Sequence, residues 1–295
     1  MMYDLTLRIA YEYETPVGLS RHLLRVYPRD IPGLQRRIAC DLVINPSPSE
    51  HSTFTDAFGN LTHDVLLRQD HDIFEIRLKS RIIRSCSPFS DEAGSPVSAL
   101  AEELSTIRSL GPDSPHHCLG RSSLVRPSKM IGEFARDAVS GTDGVADAVR
   151  RFGQALFHTM VFDATATDVH TPHDEAFAQR RGVCQDFTHI MIAGLRGLGV
   201  PAGYVSGFLR TLPPEGQARL SGADAMHAWV RAWCGKEVGW IEYDPTNAVD
   251  VADQHIVVAY GRDYFDVSPT KGVVRTVGSH DSIQQVDLLE VPQSA

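Results

Sequence analysis

RRGVCQDFTHIMIAGLRGLGVPAGYVSGF, residues 180–208, holds a single cysteine placed directly after Gly182-Val183 and at the head of a long apolar run. From Cys184 onward, Phe187, Ile190, Met191, Leu195 and Leu198 recur at helical spacing, the core stripe of a buried helix. Gly182 ends the segment before it, and Gly199-Val200-Pro201 stops it. Ala202 to Phe208 then reads as a buried strand flanked by small residues. Cys184 therefore falls in the first turn of the helix. Unpaired backbone N–H groups and the positive end of the helix dipole stabilise an anion at such a position. A cysteine there is a nucleophile in its thiolate form, and the same N–H groups can hold the oxyanion of a tetrahedral intermediate. The alternative is a small buried apolar side chain, a common setting for free cysteine.

The rest of the chain narrows the setting. Its 295 residues allow one to three domains with ample material for a core. Hydrophobic residues make up 42% and charged residues 22%, ordinary for a soluble globular protein. A formal net charge of -9 with no basic run argues against nucleic-acid binding. The start MMYDLTLRIAYEYETP alternates polar and apolar residues and lacks the basic and apolar regions of a signal peptide. No apolar run approaches membrane-spanning length. Cys40, Cys86, Cys118, Cys184 and Cys234 are scattered, odd in number and free of any C-x-x-C pair, so neither a disulfide framework nor a zinc site is expected. A reduced, cytoplasmic location is expected.

The first ninety or so residues read as all-β. LTLRIAYEY, RHLLRVYP, RRIACDLVINP, THDVLLRQ and HDIFEIRLKSRIIR alternate as half-buried strands, with a hairpin turn at Phe58–Asn60. A linker-like SCSPFSDEAGSP and a short helical stretch, VSALAEELSTIRSL, follow. Helices are expected over SKMIGEFARDAV, capped by Ser128, and over DGVADAVRRFGQALFHTM, with Val145, Val149, Phe152, Leu156 and Met160 on one face. Thr171-Pro172 opens another short helix. VGSHDSIQQVDLLEVP reads as a closing hairpin of the core sheet. The expected organisation is a β domain over 1–93, a linker over 94–126 and an α+β core over 127–295.

A thiol nucleophile needs a base, and the base an orienting group. DAMHAWVRAWCGKEVGWIEYDPTN offers both. Its strand-like runs Ala225–Trp233 and Val238–Tyr243 flank a Gly235-Lys236 turn, and a hairpin centred there sets His227 directly opposite Asp244. One imidazole nitrogen then faces the thiol while Asp244 accepts from the other. Singly, His227 also reads as a satisfied strand histidine beside Trp229, and Asp-Pro-Thr-Asn as ordinary turn chemistry.

RRGVCQDF…LRGLGVPAGYVSGF, DAMHAWV and GWIEYDPTN, in that order, resemble the bacterial transglutaminase-like proteins of the papain-like cysteine-enzyme superfamily. The β-rich first ninety residues resemble the N-terminal domain often joined to that core, and HIVVAYGRDYFDVSPTKGV the segment that follows it. The resemblance implies Cys184 as nucleophile, His227 as general base and acid, and Asp244 as orienting carboxylate. It also implies the papain-like transglutaminase core, a nucleophile helix packed on an antiparallel sheet, behind an all-β N-terminal domain. Animal transglutaminases of the superfamily use an indole near the cleft to hold the oxyanion. The corresponding upstream segment here, FHTMVFDATATD, offers Phe162, which has no donor. Only the Cys184 backbone N–H is therefore named as an oxyanion donor.

Other signals are weaker. His158, His170 and His173, and His116-His117 beside Cys118, match no standard zinc spacing, and no metal or cofactor is expected. Asp186 reads as a first-turn carboxylate complementing the helix dipole, or as a substrate contact at the rim. Trp229 reads as core or as a wall of the substrate cleft. Arg262, Asp263, Tyr264 and Asp266 occupy a polar, turn-rich stretch of the kind that carries binding residues. The expected activity is acyl transfer from an amide or peptide bond of a peptide or protein substrate through a Cys184 thioester, with water as acceptor. The alternatives are a protein-glutamine transglutaminase and a non-catalytic peptide-binding protein on the same fold.

Overall fold

The computed structural model describes residues 1–85, 93–211 and 224–292; Cys86 and most of the linker-like stretch around it lie outside the described residues. Strands β1 (Met2–Val17), β2 (Ser20–Leu24), β3 (Gln35–Asn45), β4 (Glu50–Thr55), β5 (Leu61–Leu67) and β6 (His71–Arg84) come first. Helices α1 (Leu100–Thr106), α2 (Lys129–Ala138) and α3 (Val145–Thr159) follow, then β7 (Val161–Phe162), α4 (His173–Gln179), β8 (Arg181–Gly182) and α5 (Cys184–Gly197). The chain continues through β9 (Ala202–Leu209), β10 (Ala225–Trp233), β11 (Trp240–Asp244), β12 (Val249–Asp250) and β13 (His255–Gly261). It closes with α6 (Tyr264–Val267), β14 (Thr270–Val274) and β15 (His280–Glu290). The five early strands read from alternation are all present. β4 was not expected, because every one of its six residues is exposed and no apolar face marks it.

The N-terminal strands form two antiparallel sheets, ordered β15-β1-β6-β3 and β14-β2-β5-β4. This corrects the reading of 277–292 as a hairpin of the core sheet. β15 pairs with β1 from Tyr3↔Glu290 to Tyr13↔His280, and β14 pairs with β2. The ladder sets Val286 across from Leu7 and Leu288 across from Leu5, all four buried, so the apolar side of β15 completes the core beneath β1. Residues 270–274 and 280–290 thus extend the N-terminal sheets.

The core sheet runs β12-β11-β10-β9-β13. Helix α5 lies on it with Phe187, Ile190, Met191 and Leu195 at most 1% exposed, and α2 and α3 pack beyond it. Ser128 caps α2 by accepting from the Ile131 N–H, as its position suggested. Val145, Val149, Phe152, Leu156 and Met160 are all buried along the inner side of α3. Close approach between elements depends on missing side chains. A Cβ on Gly194 would lie 2.4 Å from the Phe152 ring, and one on Gly153 would lie 2.0 Å from the Tyr243 ring. No helix among the described residues is long and apolar enough to cross a membrane.

Candidate active site

The first turn of α5 is built around a carboxylate. Asp186 sits three residues into the helix boundary and accepts from the Val183 N–H at 2.8 Å and from the Thr167 hydroxyl at 2.6 Å. This ties the helix start to the loop after β7 and leaves Cys184 as the first helical residue. Asp186 is 1% exposed, so it is an inner support of the helix start and not a rim contact. Of its two readings, the first-turn carboxylate is the one the structure contains. The Thr188 hydroxyl donates to the Cys184 carbonyl at 2.7 Å, and β7 runs parallel to β8 with Phe162 across from Gly182. That pairing puts Val161 and Phe162, 59% and 57% exposed, beside the entrance to the helix.

The histidine and the aspartate meet, although not in the register expected. β10 and β11 pair as Val230↔Tyr243 through Trp233↔Trp240, so the hairpin is centred between Lys236 and Glu237. The reason lies in the turn. Both Gly235 and Gly239 take positive φ (102° and 72°), and the Cys234 N–H donates to the Gly239 carbonyl at 2.7 Å, which closes a longer loop than one glycine would. Carried one step further, the ladder sets Asp244 across from Trp229 and diagonal to His227. A displacement of two residues preserves the face of every side chain, and a diagonal neighbour remains within reach of an imidazole. His227 Nε2 accordingly donates to Asp244 Oδ2 at 2.7 Å. The Cys184 side chain lies near enough to the same ring to raise its pKa, and Nδ1 is the nitrogen that the Asp244 bond leaves toward it.

Asp244 is fully buried and accepts five hydrogen bonds. Oδ2 takes His227 Nε2, Asn247 Nδ2 at 2.7 Å and His255 Nε2 at 3.2 Å, while Oδ1 takes the backbone N–H groups of Thr246 and Asn247 at 2.9 and 3.3 Å. Burial by itself would raise the Asp244 pKa, but the donors from His227 and His255 hold it well below the usual carboxylate range. Burial likewise pulls the His227 pKa down. The bond to Asp244 and the nearby Cys184 thiol outweigh it and push His227 up to about 10.

Trp229 lies under this site and is 0% exposed, which rules it out as a wall of an open cleft. Its Nε1 donates to Glu242 at 2.7 Å, and its ring meets the His255 ring edge-on at 5.2 Å. The room for the indole comes from Gly207 on β9, where a Cβ would fall 2.4 Å from it. Asp263 accepts from the Leu124 and Phe265 N–H groups, and Arg262 pairs with Asp266, so most of that polar stretch is a structural clasp. Tyr264 is the exception. Its hydroxyl is pushed up to about 12 by burial, with Tyr11 and Cys184 close enough to add to the effect.

Three of the five histidines weighed for metal binding bond backbone carbonyls: His116 and His117 those of Ile107, Leu110 and Gly111, and His173 that of Arg126. Side chains of metal-ligating type converge elsewhere, at His227, Asp244 and His255, whose relevant atoms lie within 4.8 Å of one another. Two imidazole N–H groups aimed at one carboxylate oxygen account for that convergence through protons. His255 was not singled out in the sequence. Its signal is a histidine opening the otherwise apolar run of β13, a buried polar residue that must find a partner.

Residues 132–245 match the family described as "Transglutaminase-like superfamily", and residues 3–83 match "Bacterial transglutaminase-like N-terminal region". Uncharacterized proteins of Mycobacterium bovis and Mycobacterium tuberculosis are 30% identical over 302 residues, spanning 98% of this chain and 92% of theirs. The crystal structure of a candidate cysteine protease from Cytophaga hutchinsonii superposes with a TM-score of 0.76 at 18% identity, covering 100% of this chain and 92% of that one.

Proposed function

This chain belongs to the transglutaminase-like superfamily, with the bacterial N-terminal region ahead of the core, and from that premise we propose that it is a cysteine peptidase or amidase. Membership supports a thiol-dependent enzyme. The observation that carries the finer reading is the chain of contacts from Cys184 through His227 to Asp244, with the sulfur at the start of a buried helix.

The chemistry follows from those contacts. His227 Nδ1 takes the Cys184 proton, and Asp244 steadies the imidazolium through Nε2–H. The thiolate attacks the amide carbonyl carbon, and the oxyanion settles against the N–H groups at the head of α5. As the C–N bond breaks, the imidazolium hands its proton to the departing amine, leaving a thioester on Cys184. Water, deprotonated by His227, then releases the acid and restores the thiol. Hydrolysis is favoured over transfer to an amine because the edge beside the helix is open. Phe162 is more than half exposed and has no donor, whereas a cross-linking enzyme must screen its thioester from water. The exposed Val161 and Phe162 suit an apolar residue of a peptide substrate.

A peptide library incubated with and without millimolar primary amine, and weighed by mass spectrometry, tests this. Free acid should be the main product and should disappear in Cys184→Ala. Predominant amine incorporation would make the protein a transglutaminase, and peptide retention without any product would make it a binding protein.

A further inference from the structure

His255 is the buried imidazole of the site to which the reaction above gives no task. It stands at the start of β13, is 4% exposed, and donates Nε2–H to Asp244 Oδ2, the same oxygen that His227 uses. Its other nitrogen faces the Ala252 N–H at 3.5 Å, an arrangement in which Nδ1 accepts and the ring proton sits on Nε2. The indole of Trp229 braces the ring edge-on. Packing thus fixes the ring from one side and a backbone donor fixes its tautomer from another.

We infer that His255 is a positioning residue, which holds the Asp244 carboxylate in place and limits how strongly that carboxylate draws on the proton of His227. The inference rests on the proposed role of the Cys184–His227 couple. Asp244 Oδ2 divides its charge among three N–H donors. With one removed, the remaining bonds strengthen, so the His227 imidazolium keeps its proton to higher pH and surrenders it less readily to a leaving amine. Among the described residues, the charged and titratable groups facing the couple lie on two sides of it. They are Asp244 and His255 on one side, with Tyr243 beside Asp244, and on the other Cys184, with Tyr204 and Tyr264 near the sulfur and Asp186 behind it. Among the described residues, only His227 and Asn247 donate to Oδ2 besides His255.

Long-range 1H–15N NMR of the full-length protein reads both halves of the inference. In the wild type, His255 should appear as the Nε2–H tautomer. In His255→Phe, which keeps the ring volume and removes the donor, the His227 titration midpoint should rise by at least about half a unit, roughly a threefold change in its acid constant. Amide turnover at neutral pH should fall. His255→Gln, whose amide can donate toward Oδ2, should return the midpoint to near the wild-type value. A wild-type His255 carrying its proton on Nδ1 would overturn the inference, whether or not the Phe variant folds. So would a folded Phe variant with an unmoved His227 midpoint, which is what a purely structural residue would give. The outcome is separable from the proposed reaction, because the titration needs no substrate. A protein that cleaves no amide yet shows the tautomer and the shift retains the inference and loses the reaction. One that hydrolyses amides while His227 ignores residue 255 does the reverse.

Discussion

Replacing Asp244 by asparagine tests the site at the atom on which most contacts converge. The side chain keeps one acceptor oxygen and exchanges the other for an NH2 group. Two backbone donors, from Thr246 and Asn247, hold the Oδ1 side, so the asparagine oxygen is best satisfied there and its NH2 turns toward His227, His255 and the Asn247 amide. Facing a donor, His227 must move its proton to Nδ1, the nitrogen that should receive the thiol proton. In triads of this logic the wrong tautomer costs about 10⁴ in turnover, equivalent to ~5.5 kcal/mol of barrier. Stability should suffer less. Buried donors left without an acceptor cost about 1–3 kcal/mol each. Rotation of the Asn247 side chain relieves one of the three and the shifted His227 tautomer, whose Nε2 now accepts, relieves another, which leaves His255 Nε2–H. The expected cost in a urea melt is therefore roughly 1–3 kcal/mol. Free-acid release from a cleaved library peptide, measured beside the melt, separates the two effects. A folded Asp244→Asn protein turning over within tenfold of wild type would refute the tautomer reasoning.

Three further outcomes are expected. Iodoacetamide at pH 8 should label Cys184 well ahead of Cys40, Cys118 and Cys234, because burial raises all three of the latter thiols and takes Cys234 to about 12; equal labelling of Cys118 or Cys234 in peptide mass spectra would count against the fold around α5. Since His227 is raised to about 10, its imidazolium persists up to that pH and is lost above it. Amide turnover should accordingly hold through neutral pH and decline only as pH climbs through about 10, and a decline near the free-histidine value of about 6.5 would show that Asp244 and Cys184 do not support the ring. Gly207→Ala should destabilise the protein by about 3 kcal/mol or more, as its Cβ would meet the Ile256 carbonyl oxygen at 2.2 Å and Trp229 at 2.4 Å; an unchanged urea midpoint would mean that the indole sits elsewhere.

The nucleophile helix was legible because its apolar stripe, its glycine stops and its cysteine all lie within one short segment. The meeting of His227 with Asp244 was legible for a subtler reason. The turn was placed one residue too early, yet an error of one at the centre of a hairpin displaces the pairing by two, and a period-two structure forgives it. What stayed hidden depends on partners far away in sequence. His255 reaches Asp244 only because β13 lies against β9, a neighbour that its uniformly buried run of residues does not announce. Trp229 and Asp186 each allowed a cleft reading beside an inner one, because an indole and a carboxylate suit either place. Their burial comes from Gly207 and Thr167, whose positions only the folded chain reveals. β15 was assigned to the wrong sheet for the same reason. Alternation identifies a strand but is silent about which edge receives it.

The pairing of β1 with β15 also has a consequence for biosynthesis. Strand β1 ends at Val17, while its outer partner begins at His280, roughly 260 residues later in the chain. At a synthesis rate of about 5–20 residues per second, the nascent chain carries the outer edge of β1 uncovered for on the order of tens of seconds. During that interval β6 can pair on one side, but the other side offers open backbone N–H and C=O groups to any extended segment it meets. Capture of that edge by an earlier competitor would leave β15 without a berth, and with it the buried Val286 and Leu288 that close the N-terminal core. Assembly of this sheet is therefore retrospective: β1 waits for a partner made long after it.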